Sequence, residues 1–242
     1  MLYRSTYDSD SLRGKDDLMT PRPWDIVNLL SKLSSDSMRL LDLGTGTGFK
    51  IAPLHSKYKE IVGIEISKSM VAAAKRNLFK ENMFLIQGNN YSLPFQRNTF
   101  DAVACMLSLW DPKEIHRVLK KDGFVLIELL GCEDKKDFKL FFGADGNGLR
   151  GQYLNFKSEE YVSNIYERFQ KFFRSVSIQN GFWNTCYSQK GILKLLANTP
   201  TIRGYNYQHD KINIKNAIQG LSTPSGIKIK QNRMLLYATD PK

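Results

Sequence analysis

A doubly wound α/β fold with a seven-stranded, mostly parallel sheet is what this 242-residue sequence predicts. Three observations carry that expectation. Short apolar runs alternate with helix-like segments up to about residue 130, the order that builds a parallel sheet covered on both faces. The runs are apolar at consecutive positions rather than at every second one, as strands buried on both faces require. A glycine-rich turn follows the first run at once.

The strands are expected at "MRLLDL" (38–43), "EIVGIEI" (60–66), "MFLIQG" (83–88), "FDAVACML" (100–107) and "GFVLIELL" (123–130). Two later ones are "SVSIQNGFW" (175–183) and "GIKIKQNRMLLYATD" (226–240). Pro53 must fall in the first turn of the segment after the glycines, or bend it. "SKSMVAAAKRNLFKEN" (67–82) begins with a serine cap and lines up Met70, Ala73, Ala74, Asn77 and Leu78 on one stripe. "DPKEIHRVLKKDG" (111–123) has aspartate at the cap, proline in the first turn and glycine after the end. "SEEYVSNIYERFQKFF" (158–173) and "SQKGILKLLANTP" (188–200) read as helices. Residues 1–242 therefore read as one domain: a helical cap or lid over 1–37, a core over 38–130, and a helical insertion over 184–225 between the last two strands.

Composition narrows the function. Hydrophobic residues make up 42% and charged residues 24%, the balance of a globular protein. No apolar run approaches the ~20 residues of a membrane span, and the first residues lack the basic-then-apolar order of a signal peptide. A cytoplasmic protein is expected, without membrane contact. Cys105, Cys132 and Cys186 are spaced 27 and 54 residues apart, which gives no metal knuckle or disulfide framework, and no metal is expected. The net charge of +11 is uneven: from Leu140 onward 14 Lys and Arg face 6 Asp and Glu. A basic half could attract RNA or an anionic substrate.

Asp42-Leu43-Gly44-Thr45-Gly46-Thr47-Gly48 resembles the first motif of class I S-adenosylmethionine-dependent methyltransferases. The likeness continues through Glu65 at the end of the second strand, "QGNN" at the end of the third, "LPFQRNTFDAV" before the fourth and "HRVLKKDGFVLIE" before the fifth. Electrostatics points the same way. Glu65 lies 21 positions after Gly44, near the ~20-residue spacing at which a carboxylate grips a ribose diol, which suits a dinucleotide equally. Asp42 separates the two: like charges ~4 Å apart repel by ~4 kcal/mol at an effective dielectric of ~20, so a carboxylate here opposes a pyrophosphate. S-adenosylmethionine offers an ammonium and a sulfonium instead. A Tyr153/Lys157 pair at dehydrogenase spacing precedes the helix cap at Ser158 and is read as coincidence.

The resemblance implies a role for each residue. Asp42 would hold the methionine ammonium, while Gly44, Thr45, Gly46 and Gly48 would pass beneath the methionine. Glu65 would bind the ribose hydroxyls, with Ile66 and Met70 packing on adenine. Asn89 would meet the adenine amine, Asn90 would contribute a backbone N–H, and Met106 would complete the cofactor set. Many relatives carry aspartate where this chain has Asn89. The resemblance further implies methyl transfer to an oxygen or nitrogen of a small metabolite, with S-adenosylhomocysteine as product; the alternative acceptor is a base of ribosomal or transfer RNA. No fixed catalytic residue is singled out. His55, His116 and His209 are candidate bases, and Trp183, Tyr187, Arg203, Tyr205 and Tyr207 are candidate acceptor contacts. Tyr3, Arg4, Tyr7 and Arg13 would join them from the N-terminal stretch.

Overall fold

The computed structural model describes residues 14–77 and 80–242. A short strand β1 (Lys15–Asp16) and helix α1 (Ile26–Lys32) precede β2 (Arg39–Leu43), β3 (Glu60–Glu65), β4 (Met83–Gln87), β5 (Phe100–Met106) and β6 (Leu119–Leu130). Helix α2 (Lys68–Asn77) joins β3 to β4, and α3 (Pro112–Val118) joins β5 to β6. Helix α4 (Lys136–Leu140), a hairpin of β7 (Ala144–Asp145) and β8 (Gly148–Leu149), and helix α5 (Ser158–Gln170) follow. The long strands β9 (Phe173–Tyr187) and β11 (Gly226–Pro241) enclose α6 (Gln189–Asn198), α7 (Tyr207–Leu221) and β10 (Ser222–Thr223).

The main sheet runs β1-β9-β11-β6-β5-β2-β3-β4, with β10 beside β11. Strands β2 to β6 pair in parallel. β11 runs antiparallel between β6 and β9. From β2 the chain proceeds to β3 and β4 on one side, then returns to β5 and β6 on the other. The crevice above the C-terminal ends of β2 and β5 is therefore the topological switch point, where open α/β sheets hold ligands.

The seven expected strands become nine in the main sheet, because β1 and β10 each add a two-residue pair. Two residues cannot display a pattern, so neither was legible. Two helices are shorter than expected. Helix α2 is described up to Asn77 and no longer includes Lys80, short of the expected 82, while Leu78 lies outside the described residues. Helix α3 stops at Val118 rather than 123, because Leu119 is already buried in register with Phe100. Pro53 sits in the first turn of a short 3₁₀ helix, Ala52–Ser56, as its fixed φ dictates. Asp111 caps α3 as expected, accepting from the Lys113 N–H. β9 runs on to Tyr187, so the insertion begins at 188 rather than 184. Of the segment 1–37, residues 1–13, with Tyr3, Arg4, Tyr7 and Arg13, lie outside the described residues; the rest supplies β1 and α1.

Both faces of the sheet are covered. Leu41, Val62, Val103, Ile127 and Leu236 pack under α3 and α5. Leu40, Ile61, Ala104 and Leu126 pack under α1, the 3₁₀ turn and α2. A third cluster, with Phe138, Phe142, Ile192, Leu195 and Ile214, unites α4, α6 and α7 over the start of β11. Arg150 stitches this third body together, bonding the Asp210 carboxylate at 2.7 and 3.0 Å and the Gly204 carbonyl at 3.2 Å. The excursions after β6 and after β9 thus form one cap over the start of β11.

Candidate functional site

The turn leaving β2 is fixed from beneath. The Gly44 and Thr45 N–H groups both donate to the Ile64 carbonyl, at 2.8 and 3.0 Å. Gly44 and Gly46 lie at φ +70° and +59°, in the left-handed region that side chains disfavour. A Cβ on Gly44 would stand 2.0 Å from the Ser108 hydroxyl, whereas a Cβ on Gly46 would meet nothing within 4 Å. Gly44 is thus needed for packing, and Gly46 faces open space. Gly48 repeats the positive φ and returns its N–H to the Thr45 carbonyl.

Glu65, at the end of β3, reaches back across this turn. Its Oε2 accepts from the Gly46 N–H at 3.0 Å and its Oε1 from the Ser67 N–H at 2.9 Å. One carboxylate therefore ties the glycine loop to the start of α2. A carboxylate has about four acceptor directions, so each oxygen keeps capacity for a ligand hydroxyl. Spacing alone pointed to the diol and missed this bracing role.

Asp42 is 2% exposed, and its Oδ1 has no hydrogen-bond partner; neither has the buried Thr45 hydroxyl. Burial pushes the Asp42 carboxyl up to about 6, opposed by the nearby Thr45 hydroxyl and Lys50. An unsatisfied buried acceptor of this kind is costly, and it is rare unless it has a ligand to meet.

The remaining expected residues divide. Met106, half-buried, ends β5 on the same sheet face as Asp42. Asn90 is buried, with its Nδ2 donating to the Leu109 carbonyl at 2.8 Å, which ties its turn to the loop after β5. Met70 is buried in the first turn of α2, and Ile66 is 67% exposed at the rim. Asn89 is exposed, and its side-chain oxygen accepts from the Tyr91 N–H at 3.0 Å.

The candidate bases stand elsewhere. His55 bonds the Ala52 carbonyl, and His116 meets the Lys242 carbonyl between Phe172 and Phe173. His209 is exposed, and the neighbouring Asp210 carboxylate faces Arg150 instead. Tyr187 and Tyr205 belong to the cap's own core, Arg203 pairs with Asp145, and Tyr207 is exposed at the start of α7. Trp183 is buried with Arg22 and Arg233 over its ring. Sequence reasoning missed Glu128 and Trp24. Glu128, 4% exposed in β6, accepts from the Trp24 indole N–H at 3.0 Å. A lone charge inside the apolar run "GFVLIELL" was the available signal.

Residues 41–127 match the family described as the methyltransferase domain. The ubiquinone/menaquinone biosynthesis C-methyltransferase UbiE of Agrobacterium fabrum is 32% identical over 117 residues, 42% of this chain and 45% of that protein. Residues 41–127 are a methyltransferase domain of the class I S-adenosylmethionine-dependent kind. The uncharacterized methyltransferase YcgJ of Bacillus subtilis is 32% identical over 107 residues, 40% of this chain and 42% of its own. The YcgJ crystal structure shares the fold with a TM-score of 0.64 at 20% identity, covering 89% of this chain and 98% of that one. The malonyl-[acyl-carrier protein] O-methyltransferase of Laribacter hongkongensis is 29% identical over 136 residues, 48% and 46% of the two chains. The matched stretch spans a little under half the length of these curated relatives.

The methyltransferase domain's own residues fit its cofactor. S-adenosylmethionine carries an ammonium and a sulfonium, and the crevice holds an orphaned Asp42 oxygen beside an open space at Gly46. Among the described residues, no group of three or more His, Cys, Asp or Glu could hold a metal ion. No described helix is long and apolar enough to cross a membrane.

Proposed function

We propose that this chain methylates an oxygen or nitrogen atom of a small-molecule metabolite, with S-adenosylmethionine as donor and S-adenosylhomocysteine as product. The observation that carries the proposal is the buried, unpartnered Asp42 oxygen beside an open glycine loop. When bound, S-adenosylmethionine supplies a methyl group already activated by its sulfonium. The chain's residues then bind and align. Asp42 and the loop around Gly44, Gly46 and Gly48 hold the charged amino-acid end, and Glu65 takes the ribose hydroxyls while bracing Gly46. Ile66, Met70, Asn89, Asn90 and Met106 surround the remainder. Alignment of this kind is worth about 7–11 kcal/mol of barrier, which makes a dedicated nucleophile unnecessary.

A small acceptor is favoured by the curated relatives, whose names concern quinone biosynthesis and an acyl-carrier substrate. An RNA base is the alternative acceptor, with the basic second half in its favour. Six of those 14 cations, at Arg150, Lys157, Arg174, Arg203, Lys228 and Arg233, stand in ion pairs, which weakens the case for a cationic track.

The test is transfer of labelled methyl from S-adenosylmethionine into a cell extract split into small-molecule and RNA fractions. Label in the small-molecule fraction, insensitive to added salt, is expected. Label in RNA, falling steeply with salt, would establish the alternative. Absence of label from both fractions would refute methyl transfer to either acceptor.

A further inference from the structure

The crevice holds a second buried carboxylate that cofactor binding does not use. Glu128 sits on β6 directly opposite Met106 of β5, and β5 is the neighbour of β2, which carries Asp42. Ala104, paired with Asp42, and Met106 face the same side of the sheet, as do Leu126 and Glu128. Asp42 and Glu128 therefore share one face at the C-terminal ends of the strands. They are two strand spacings apart laterally, about 10 Å.

Glu128 is 4% exposed, and among the described residues the one donor to its side chain is Trp24 Nε1–H, which bonds Oε1 at 3.0 Å. Cationic help is committed elsewhere. Arg233, on β11 opposite Leu130, is diagonal to Glu128 but pairs with Asp134. Trp24 is itself fixed, with Pro23, against Gly181 of β9, where even a methyl group would not fit. A buried carboxylate is stabilised by further donors, a place that a ligand hydroxyl or amine can fill at Oε2.

We propose that Glu128 is the carboxylate that receives the methyl acceptor, binding a hydroxyl or amine through Oε2 while Trp24 fixes Oε1. This rests on the methyltransferase reading and names its acceptor as a proton-bearing, uncharged or cationic group, not a carboxylate. As the acceptor's oxygen or nitrogen gains the methyl group, its proton passes to Oε2. The carboxylate becomes a carboxylic acid and later returns the proton to water.

Glutamine at position 128 keeps an oxygen for the Trp24 N–H, so it separates an acceptor role from simple anchoring of the N-terminal segment. The experiment is calorimetric titration of S-adenosylhomocysteine-loaded protein with 4-methylphenol and, separately, 4-methylbenzoate. The wild type is expected to bind the phenol at least tenfold more tightly than the benzoate. Glu128→Gln should lose at least tenfold in phenol affinity, and S-adenosylhomocysteine affinity should stay within twofold. Equal or reversed preference, no binding of either probe, or an unchanged phenol affinity in Glu128→Gln would overturn the proposal. Failure of S-adenosylhomocysteine itself to bind would overturn the methyltransferase reading beneath it. Should Glu128→Gln fail to fold, Glu128→Asp, which keeps the charge but withdraws it by one carbon, carries the same comparison.

Discussion

Asp42 carries a carboxyl that burial has pushed from 3.8 up to about 6. Its proton is held more tightly in the folded chain than in the unfolded one, so the ionised form opposes folding at neutral pH. At 1.36 kcal/mol per pH unit the penalty above pH 6 is about 3 kcal/mol, and it is relieved as pH falls from 6 towards 4. Asp42→Asn should therefore raise the melting temperature of the ligand-free protein, by about 2–4 °C per kcal/mol recovered, while weakening S-adenosylmethionine at least tenfold. A lower melting temperature in thermal denaturation would contradict that balance. Binding of a cation should also expel the proton. Titrations at pH 5.5 in buffers of different ionisation heat should report release of most of one proton, and at pH 8 almost none. Glu65→Ala should weaken the cofactor and also speed hydrogen exchange at the Gly46 amide, because the same carboxylate holds that N–H. Asp42 and Glu65 were legible because a motif of fixed spacing contains both. Glu128 was signalled only by its lone charge in an apolar run, and its contact with Trp24, 104 residues away, left no sign in the sequence.

The glycine turn makes separable predictions as an element. Gly44→Ala places a methyl group on the Ser108 side chain and also bears the left-handed penalty of about 1–2 kcal/mol, so it should destabilise the fold strongly. Ser108→Gly in that background should restore part of the loss, measured by denaturant titration. Gly46→Ala meets open space, so only the backbone penalty applies to stability, and the damage should appear in cofactor affinity instead. Strands were the most legible elements, since β2 to β5 are apolar on both faces and end in turn residues. Element ends were less so. Helix α3 gives way to β6 at Leu119 because tertiary pairing with Phe100 overrides a helical pattern that runs on to Gly123. Helix α7 was not singled out at all, since exposed Ile212 and buried Ile214 and Ala217 blur its stripe.

Across the whole molecule, the sheet supplies the crevice and two distant chain excursions form a cap over the start of β11. Arg150 and Asp210, 60 residues apart, hold those excursions together. Burial works against the Asp210 charge, but bonds from Arg150, Asn206 and Asn213 outweigh it and hold the carboxyl below its usual range. That contribution is present above the unfolded carboxyl's pKa and is lost as pH falls through the lower folded value. Asp210→Ala strands Arg150 and should cost about 3–5 kcal/mol, read as a lower melting temperature. The sequence announced the helical insertion after β9 but not the core it shares with the excursion after β6, which forms only when both are in place. The account as a whole rests on an anionic crevice suited to a cationic donor. Calorimetric titration of the wild type and Asp42→Asn with S-adenosylmethionine and with NAD tests it most directly. The account predicts one S-adenosylmethionine site, weakened at least tenfold in Asp42→Asn, and no heat from NAD. Saturable NAD binding, or S-adenosylmethionine binding indifferent to Asp42, would contradict it.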